Sequence, residues 1–183
     1  MIKRQVFDNF LPQGIFEYIA QISMTPNHDR QVLYQIQQTV AELDDVEKEM
    51  PHWNWMGISM IYSEDCVVHP FFTEIKEQVL PVIKEKVYDY KSLVRIKSNF
   101  YPWTHEIKHH RYHTDLNWDN VAAVLSLNTC DGYTEFEYDK PYLKQKRIAS
   151  VANRLVVFEG QDSHRSSTTT TNFGRFNINF NFL

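Results

Sequence analysis

Apolar positions recur at helical spacing in the first half of this chain and alternate with polar ones in the second. Residues 6–12 (VFDNFLP) predict a short strand and a turn, with Pro12 near the start of a helix. Ile15, Phe16, Ile19 and Ile22 then fall near a period of 3.6. A second helix is predicted over 29–43, where Val32, Ile36, Val40 and Leu43 form one stripe. Residues 51–62 (PHWNWMGISMIY) are rich in aromatic and β-branched side chains and predict a strand. A third helix is predicted over 73–88, with Ile75, Val79, Val82, Ile83 and Val87 apolar and Pro81 kinking or splitting it.

From Leu93 the period drops to two. Leu93, Arg95, Lys97 and Asn99 alternate with Val94, Ile96, Ser98 and Phe100. Residues 121–127 form a near-continuous apolar run, as in a buried strand, and 133–138, 148–151 and 155–158 are shorter strand candidates. Thr168 to Thr171 also suits a strand. In the last segment Phe176, Ile178, Phe180 and Phe182 point one way, and Arg175, Asn177, Asn179 and Asn181 the other. That polar face fits either an exposed edge or a polar lumen, where an Arg fork could grip a carboxylate. The expectation is an α+β chain with one domain over 1–183. Residues 1–92 would be mostly helical support, and 93–183 a sandwich or barrel of short strands.

Composition narrows the function. A length of 183 residues suits a single domain with a real core, and 14% aromatic content argues against disorder. A net charge of -4 argues against a dedicated nucleic-acid binder. Two cysteines, Cys66 and Cys130, cannot build a disulfide framework and fit a reducing, cytoplasmic setting. The first residues lack the apolar stretch of a signal peptide, and no run is long enough to cross a bilayer. The acids within 42–49 read as a solvated face or loop, and Lys140, Lys144, Lys146 and Arg147 as a solvated loop or a mobile flap.

The segment HEIKHHRYHTDL concentrates candidate ligands: His105, His109, His110, His113 and Asp115. His113 and Asp115 form an H-x-D pair, which a strand would turn to one side within reach of one ion. His164, in the polar turn EGQDSHRSS, is a candidate third ligand. Two imidazoles and one carboxylate on one face of an octahedral ion leave three positions open, as in non-haem Fe(II) oxygenases. The same donors also suit a zinc hydrolase, or a jelly-roll binding module without catalysis. His109 and His110 fall outside the H-x-D frame and read as surface residues or neighbours of the ligands. Trp103 and Trp118 flank the pair and would pack, or line an entrance. Arg165 would face away from His164 in a strand.

In order along the chain, these motifs resemble the Fe(II)- and 2-oxoglutarate-dependent dioxygenases, and within them the small prolyl-4-hydroxylase-like branch. The opening VFDNFLPQGIFEYIAQI resembles the strand, turn and helix that begin the branch. Asn99-Phe100-Tyr101 resembles the strand before the H-x-D pair, where a Tyr and sometimes an Asn contact the co-substrate. Residues 131–136 (DGYTEF) resemble a G-G-x-T-x-F segment, with Asp for the first Gly. Residues 153–158 resemble a G-x-L-x-x-F strand before the distal His, matched by His164. Arg175 stands where the family places the basic residue for the far carboxylate of 2-oxoglutarate.

The resemblance implies a double-stranded β-helix (jelly-roll) core with N-terminal supporting helices. It implies Fe(II) on His113, Asp115 and His164, and 2-oxoglutarate on Arg175, with Tyr101, Asn99 and Asn177 as further contacts. Oxygen would be the second co-substrate, with ascorbate a candidate accessory reductant. The implied reaction hydroxylates a C–H bond and releases succinate and CO2. A prolyl residue in a peptide or protein is the leading substrate expectation, and a free amino acid or small metabolite the alternative. No membrane partner is expected, and the oligomeric state is left open.

Overall fold

The computed structural model describes residues 4–25, 31–40, 51–87, 89–137 and 146–183. Among these, eleven strands run in chain order as β1 (Gln5–Phe7), β2 (Gln35–Gln37), β3 (Met56–Ser63), β4 (Cys66–Val67), β5 (Leu93–Pro102), β6 (Val121–Ser126), β7 (Tyr133–Phe136), β8 (Arg147–Ala149), β9 (Arg154–Glu159), β10 (His164–Ser166) and β11 (Gly174–Phe182). They form two antiparallel sheets. The larger has the order β1-β9-β6-β11-β5-β3-β2, with β4 on β3, and the smaller the order β10-β7-β8. This agrees with the jelly-roll expectation. The last strand is central, since β11 pairs with β5 along its length and with β6 over residues 177–182. Its polar face is therefore no exposed edge, and every residue of β11 is buried.

Two apolar layers follow from the alternation. Phe176, Ile178, Phe180 and Phe182 join the main core on one side of the large sheet. Helix α1 (Gln13–Met24) covers that side with Phe16, Ile19 and Ile22. So does the helical segment made of α2 (Phe72–Glu74), a π-helical stretch (Ile75–Val79) and α3 (Leu80–Lys86), through Ile75, Val79, Leu80 and Ile83. Pro81 neither ends nor splits this segment: it sits in the first turn of α3, directly after the π stretch, where a missing N–H is tolerated. On the other side, Ala122, Val124, Val156 and Phe158 of the large sheet pack against Phe136 and Ile148 of the small one.

Asn153 ties the N-terminal segment to this frame. It takes a left-handed φ of 60°, which Asn tolerates better than most side chains. Its buried amide accepts from the Leu11 N–H at 2.9 Å and donates to the Leu11 carbonyl at 2.8 Å.

The structure departs from the expected elements in four places. The predicted helix over 29–43 is, in its described part, extended chain carrying β2 against β3. Its stripe is not buried together: Val32 is in the core, but Ile36 is exposed. Val40 lines the cavity between the sheets, and Leu43, like the rest of 42–49, Lys140 and Lys144, lies outside the described residues. Residues 1–92 supply four strands besides the helices. Thr168 to Thr171 form no named strand, because Asp131 accepts hydrogen bonds from the hydroxyls of Thr169, Thr170 and Thr171. His164 opens strand β10 and is not part of a turn; its pairing partner β7 supplies the ladder that sequence could not show. No helix among the described residues is long and apolar enough to cross a membrane.

Candidate metal and co-substrate site

A cavity of about 430 Å³, measured to include its open mouth, lies between the two sheets. The large sheet lines it with Met56, Lys97, Asn99, Tyr101, Val124, Arg175, Asn177 and Asn179, and the small one with Thr134, His164 and Ser166. His113 and Asp115, from the segment joining β5 to β6, complete one wall.

His113, Asp115 and His164 converge there, each offering a ligand atom within 4.8 Å of the others. The approach has a backbone cause. His113 and His164 exchange both main-chain hydrogen bonds at 2.9 Å, the hydrogen-bonded geometry of an antiparallel pair, which places them directly opposite each other. Their rings stand 4.8 Å apart. Each ring is also oriented from behind. His113 Nδ1 meets the Arg111 carbonyl at 3.1 Å, and His164 Nδ1 the Asp162 carbonyl at 2.9 Å. A carbonyl partner assigns the proton to Nδ1 and leaves Nε2 as the ligand atom. Burial, and then the neighbouring His164, pushes His113 down to about 4, so its ring is neutral near pH 7.

Asp115 is held from the opposite side. Its side chain is 5% exposed and lies 3.2 Å from the Arg95 guanidinium. Its Oδ2 accepts from Asn179 Nδ2 at 2.9 Å and from Asn181 Nδ2 at 3.4 Å. Burial alone would raise its pKa; His164, Arg95, Lys97 and the Asn179 hydrogen bond outweigh that and hold the carboxyl well below the usual range. Two imidazoles and one carboxylate, each fixed by a second partner, suit a divalent first-row ion.

Deeper in the cavity Arg175 is 1% exposed. Its Nη2 donates to the Thr134 hydroxyl at 2.9 Å and its Nη1 to the Ser167 carbonyl at 3.4 Å, while Nε has no partner. Among the described residues no carboxylate pairs with it. A buried cation without an anion is costly, so this guanidinium is prepared for an anionic ligand. Tyr101 lies in register with Arg175 on β5, its ring 5.3 Å from the guanidinium carbon. Burial raises the Tyr101 pKa and keeps it a phenol, able to donate. Gly132 makes room for the fork: a Cβ there would lie 2.9 Å from Arg175 Cδ and 2.8 Å from the Thr168 carbonyl.

The other sequence candidates fall as follows. Asn99 and Asn177 line the cavity and bond to each other at 2.9 Å. His110 is buried outside the three-residue cluster, on the Ser166 hydroxyl at 2.8 Å, and His109 contacts the Tyr133 hydroxyl. Arg165 faces away from the cavity and, with Arg147, binds Glu135. Trp103 is 43% exposed and Trp118 is 41% exposed, and Trp103 stands edge-on to His105 at 4.6 Å. Sequence reasoning missed Thr134, Arg95, Lys97 and Asn179 as parts of the site. The signal for the last three was present, because strict alternation puts Arg95 and Lys97 on the face of Tyr101, and Asn179 on that of Arg175.

No family model matches the chain, and no curated protein matches it in sequence. Its fold does match solved structures. A prolyl-4-hydroxylase from Pseudomonas putida superposes with a TM-score of 0.60 at 16% identity, covering 100% of this chain and 93% of that one. A Trichoplax adhaerens prolyl hydroxylase, solved with a hypoxia inducible factor peptide fragment, gives 0.64 at 14% identity over 98% of this chain and 83% of that one. HygX from Streptomyces hygroscopicus, with nickel, 2-oxoglutarate and hygromycin B bound, gives 0.58 at 9% identity over 99% and 82%. The chain thus shares the fold of 2-oxoglutarate- and Fe(II)-dependent oxygenases.

Proposed function

We propose that this protein is a 2-oxoglutarate- and Fe(II)-dependent oxygenase built on a double-stranded β-helix. The observation that carries the reading is Arg175: a buried guanidinium with no carboxylate partner among the described residues, in one cavity with His113, Asp115 and His164. Zinc hydrolysis itself requires no such cation, whereas a dicarboxylate co-substrate needs one at its far end.

In this reading His113, Asp115 and His164 hold the metal through Nε2, a carboxylate oxygen and Nε2. When bound, the metal and 2-oxoglutarate supply the oxidising chemistry, converting 2-oxoglutarate and oxygen to succinate, CO2 and a hydroxylated C–H bond. The chain contributes position and charge. Arg175 grips the far carboxylate of the co-substrate, steadied by Thr134. Tyr101 offers a hydroxyl beside it. Asn99 and Asn177 add side-chain amides along the same wall. Asn179, Asn181 and Arg95 keep Asp115 ionised and aimed.

The two prolyl hydroxylase neighbours support a prolyl substrate in a peptide. HygX, solved with hygromycin B, supports the alternative of a free small molecule.

The test is succinate formation from 2-oxoglutarate under air with Fe(II), alongside calorimetric binding of Mn(II) and then 2-oxoglutarate. Expected are tight metal binding, metal-dependent co-substrate binding and succinate release, with metal binding and turnover lost in a folded Asp115→Ala variant. Binding of zinc with hydrolytic turnover, or no 2-oxoglutarate binding to the metal-loaded protein, would overturn the proposal.

A further inference from the structure

One cation in the cavity acts in this scheme only through space, on Asp115. Lys97 lies on β5 between Arg95 and Asn99 and lines the same space as the three candidate ligands. It makes no hydrogen bond or ion pair among the described residues. Its register partner on β11 is Asn179, the residue that donates to Asp115. Lys97 therefore stands at the level of Asp115, while Arg175 pairs with Tyr101 four residues along.

That separation matters for what each cation can bind. Four residues of strand span about 13 Å. The terminal carbons of 2-oxoglutarate, joined by four C–C bonds, are only roughly 5 Å apart. A co-substrate anchored on Arg175 and reaching the metal leaves the Lys97 side of the ion for something else.

Charge points the same way. Asp115 is the sole carboxylate among the described residues that line the cavity, and Arg95 already contacts it. With a divalent ion and a co-substrate dianion in place, Arg95, Lys97 and Arg175 leave the described residues of the site with an excess of positive charge. A neutral segment inside a peptide does nothing to relieve this, whereas a substrate carrying its own carboxylate does.

We infer that Lys97 is a specificity-determining residue that binds a carboxylate of the primary substrate, which is a small organic acid of the free amino acid kind. The inference rests on the oxygenase reading of the site. The metal-facing wall would then hold two anions in opposite directions, the co-substrate on Arg175 and the substrate on Lys97.

The experiment titrates Mn(II)- and 2-oxoglutarate-loaded protein, which cannot turn over, with the free proteinogenic L-amino acids, their carboxamides and a proline peptide capped at both ends. At least one free acid should bind, and its carboxamide should bind roughly tenfold more weakly or worse. On protein saturated with Mn(II) and 2-oxoglutarate, Lys97→Met should bring acid and amide together and Lys97→Arg should restore the preference. Three results would overturn the inference: no free acid binds, the capped peptide binds better than every acid, or Lys97→Met weakens 2-oxoglutarate in place of the acid. Failure of the oxygenase reading is separate, because it shows as no 2-oxoglutarate binding before any probe is added.

Discussion

Asn179 donates from Nδ2 to Oδ2 of Asp115 at 2.9 Å, across a gap of 64 residues in sequence. The bond ties the carboxylate of the H-x-D pair to the central strand of the large sheet. It leaves Asn179 Oδ1 without a partner, so the amide is committed to orienting Asp115.

Asn179→Leu should therefore lower metal affinity by about 10- to 100-fold, the range seen when an outer partner of a ligand is removed. Folding should survive, since the replacement is apolar and of similar volume. Calorimetry with Mn(II) measures the first, and thermal melts of the metal-free protein the second. Unchanged metal affinity would show that Arg95 and Asn181 suffice.

Removal of the unpaired buried cation should have opposite effects with and without ligand. Arg175→Met should leave the metal-free protein as stable as the parent or slightly more so, because it removes an uncompensated buried charge. The rise in melting temperature on adding Mn(II) and 2-oxoglutarate should disappear. A variant that still gains the full ligand-dependent stabilisation would deny Arg175 its role.

Two glycines should respond differently to alanine. At Gly132 the new Cβ meets Arg175 Cδ at 2.9 Å and the Thr168 carbonyl at 2.8 Å, so 2-oxoglutarate binding should weaken as the fork is displaced. At Gly174 the Cβ would lie 2.0 Å from Phe100 Cε2, inside the aromatic core, and the loss should be of stability, about 1–3 kcal/mol. Denaturant titration and co-substrate calorimetry on both variants separate the two effects.

Burial pushes His110 down to about 3, so the native state holds it neutral while the unfolded chain protonates it near its ordinary value of 6.5. Between those values the unfolded state binds more protons, and stability rises with pH. The contribution is complete above about pH 6.5 and is lost as pH falls from there toward 3. In His110→Phe, which keeps a ring between Trp53 and Tyr101, the acid-side decline in metal-free stability should become shallower. An unaltered slope would place the titration elsewhere.

Local pattern was sufficient for much of the molecule. The alternation of Arg175, Asn177, Asn179 and Asn181 with Phe176, Ile178, Phe180 and Phe182 needs only the period of an extended chain, and the structure keeps it. The apolar stripe of α1 likewise encodes its buried face. The predicted helix over 29–43 failed because its stripe was read without the neighbouring strand: β3 offers Gln35 to Gln37 a hydrogen-bonding edge that outcompetes the helical spacing.

The sequence by itself determined which residues share a face and which residue types could hold a metal: His113 and Asp115 as an H-x-D pair, His164 and Arg175 further on. Tertiary structure alone decided that these faces enclose a common cavity. It made β11 a central strand and not an edge, seated His164 opposite His113, and left Arg175 without a carboxylate partner among the described residues. Periodicity is a property of neighbours along the chain and is written locally. Register between distant strands, and the burial that makes a lone cation costly, arise only when segments many residues apart pair and exclude water.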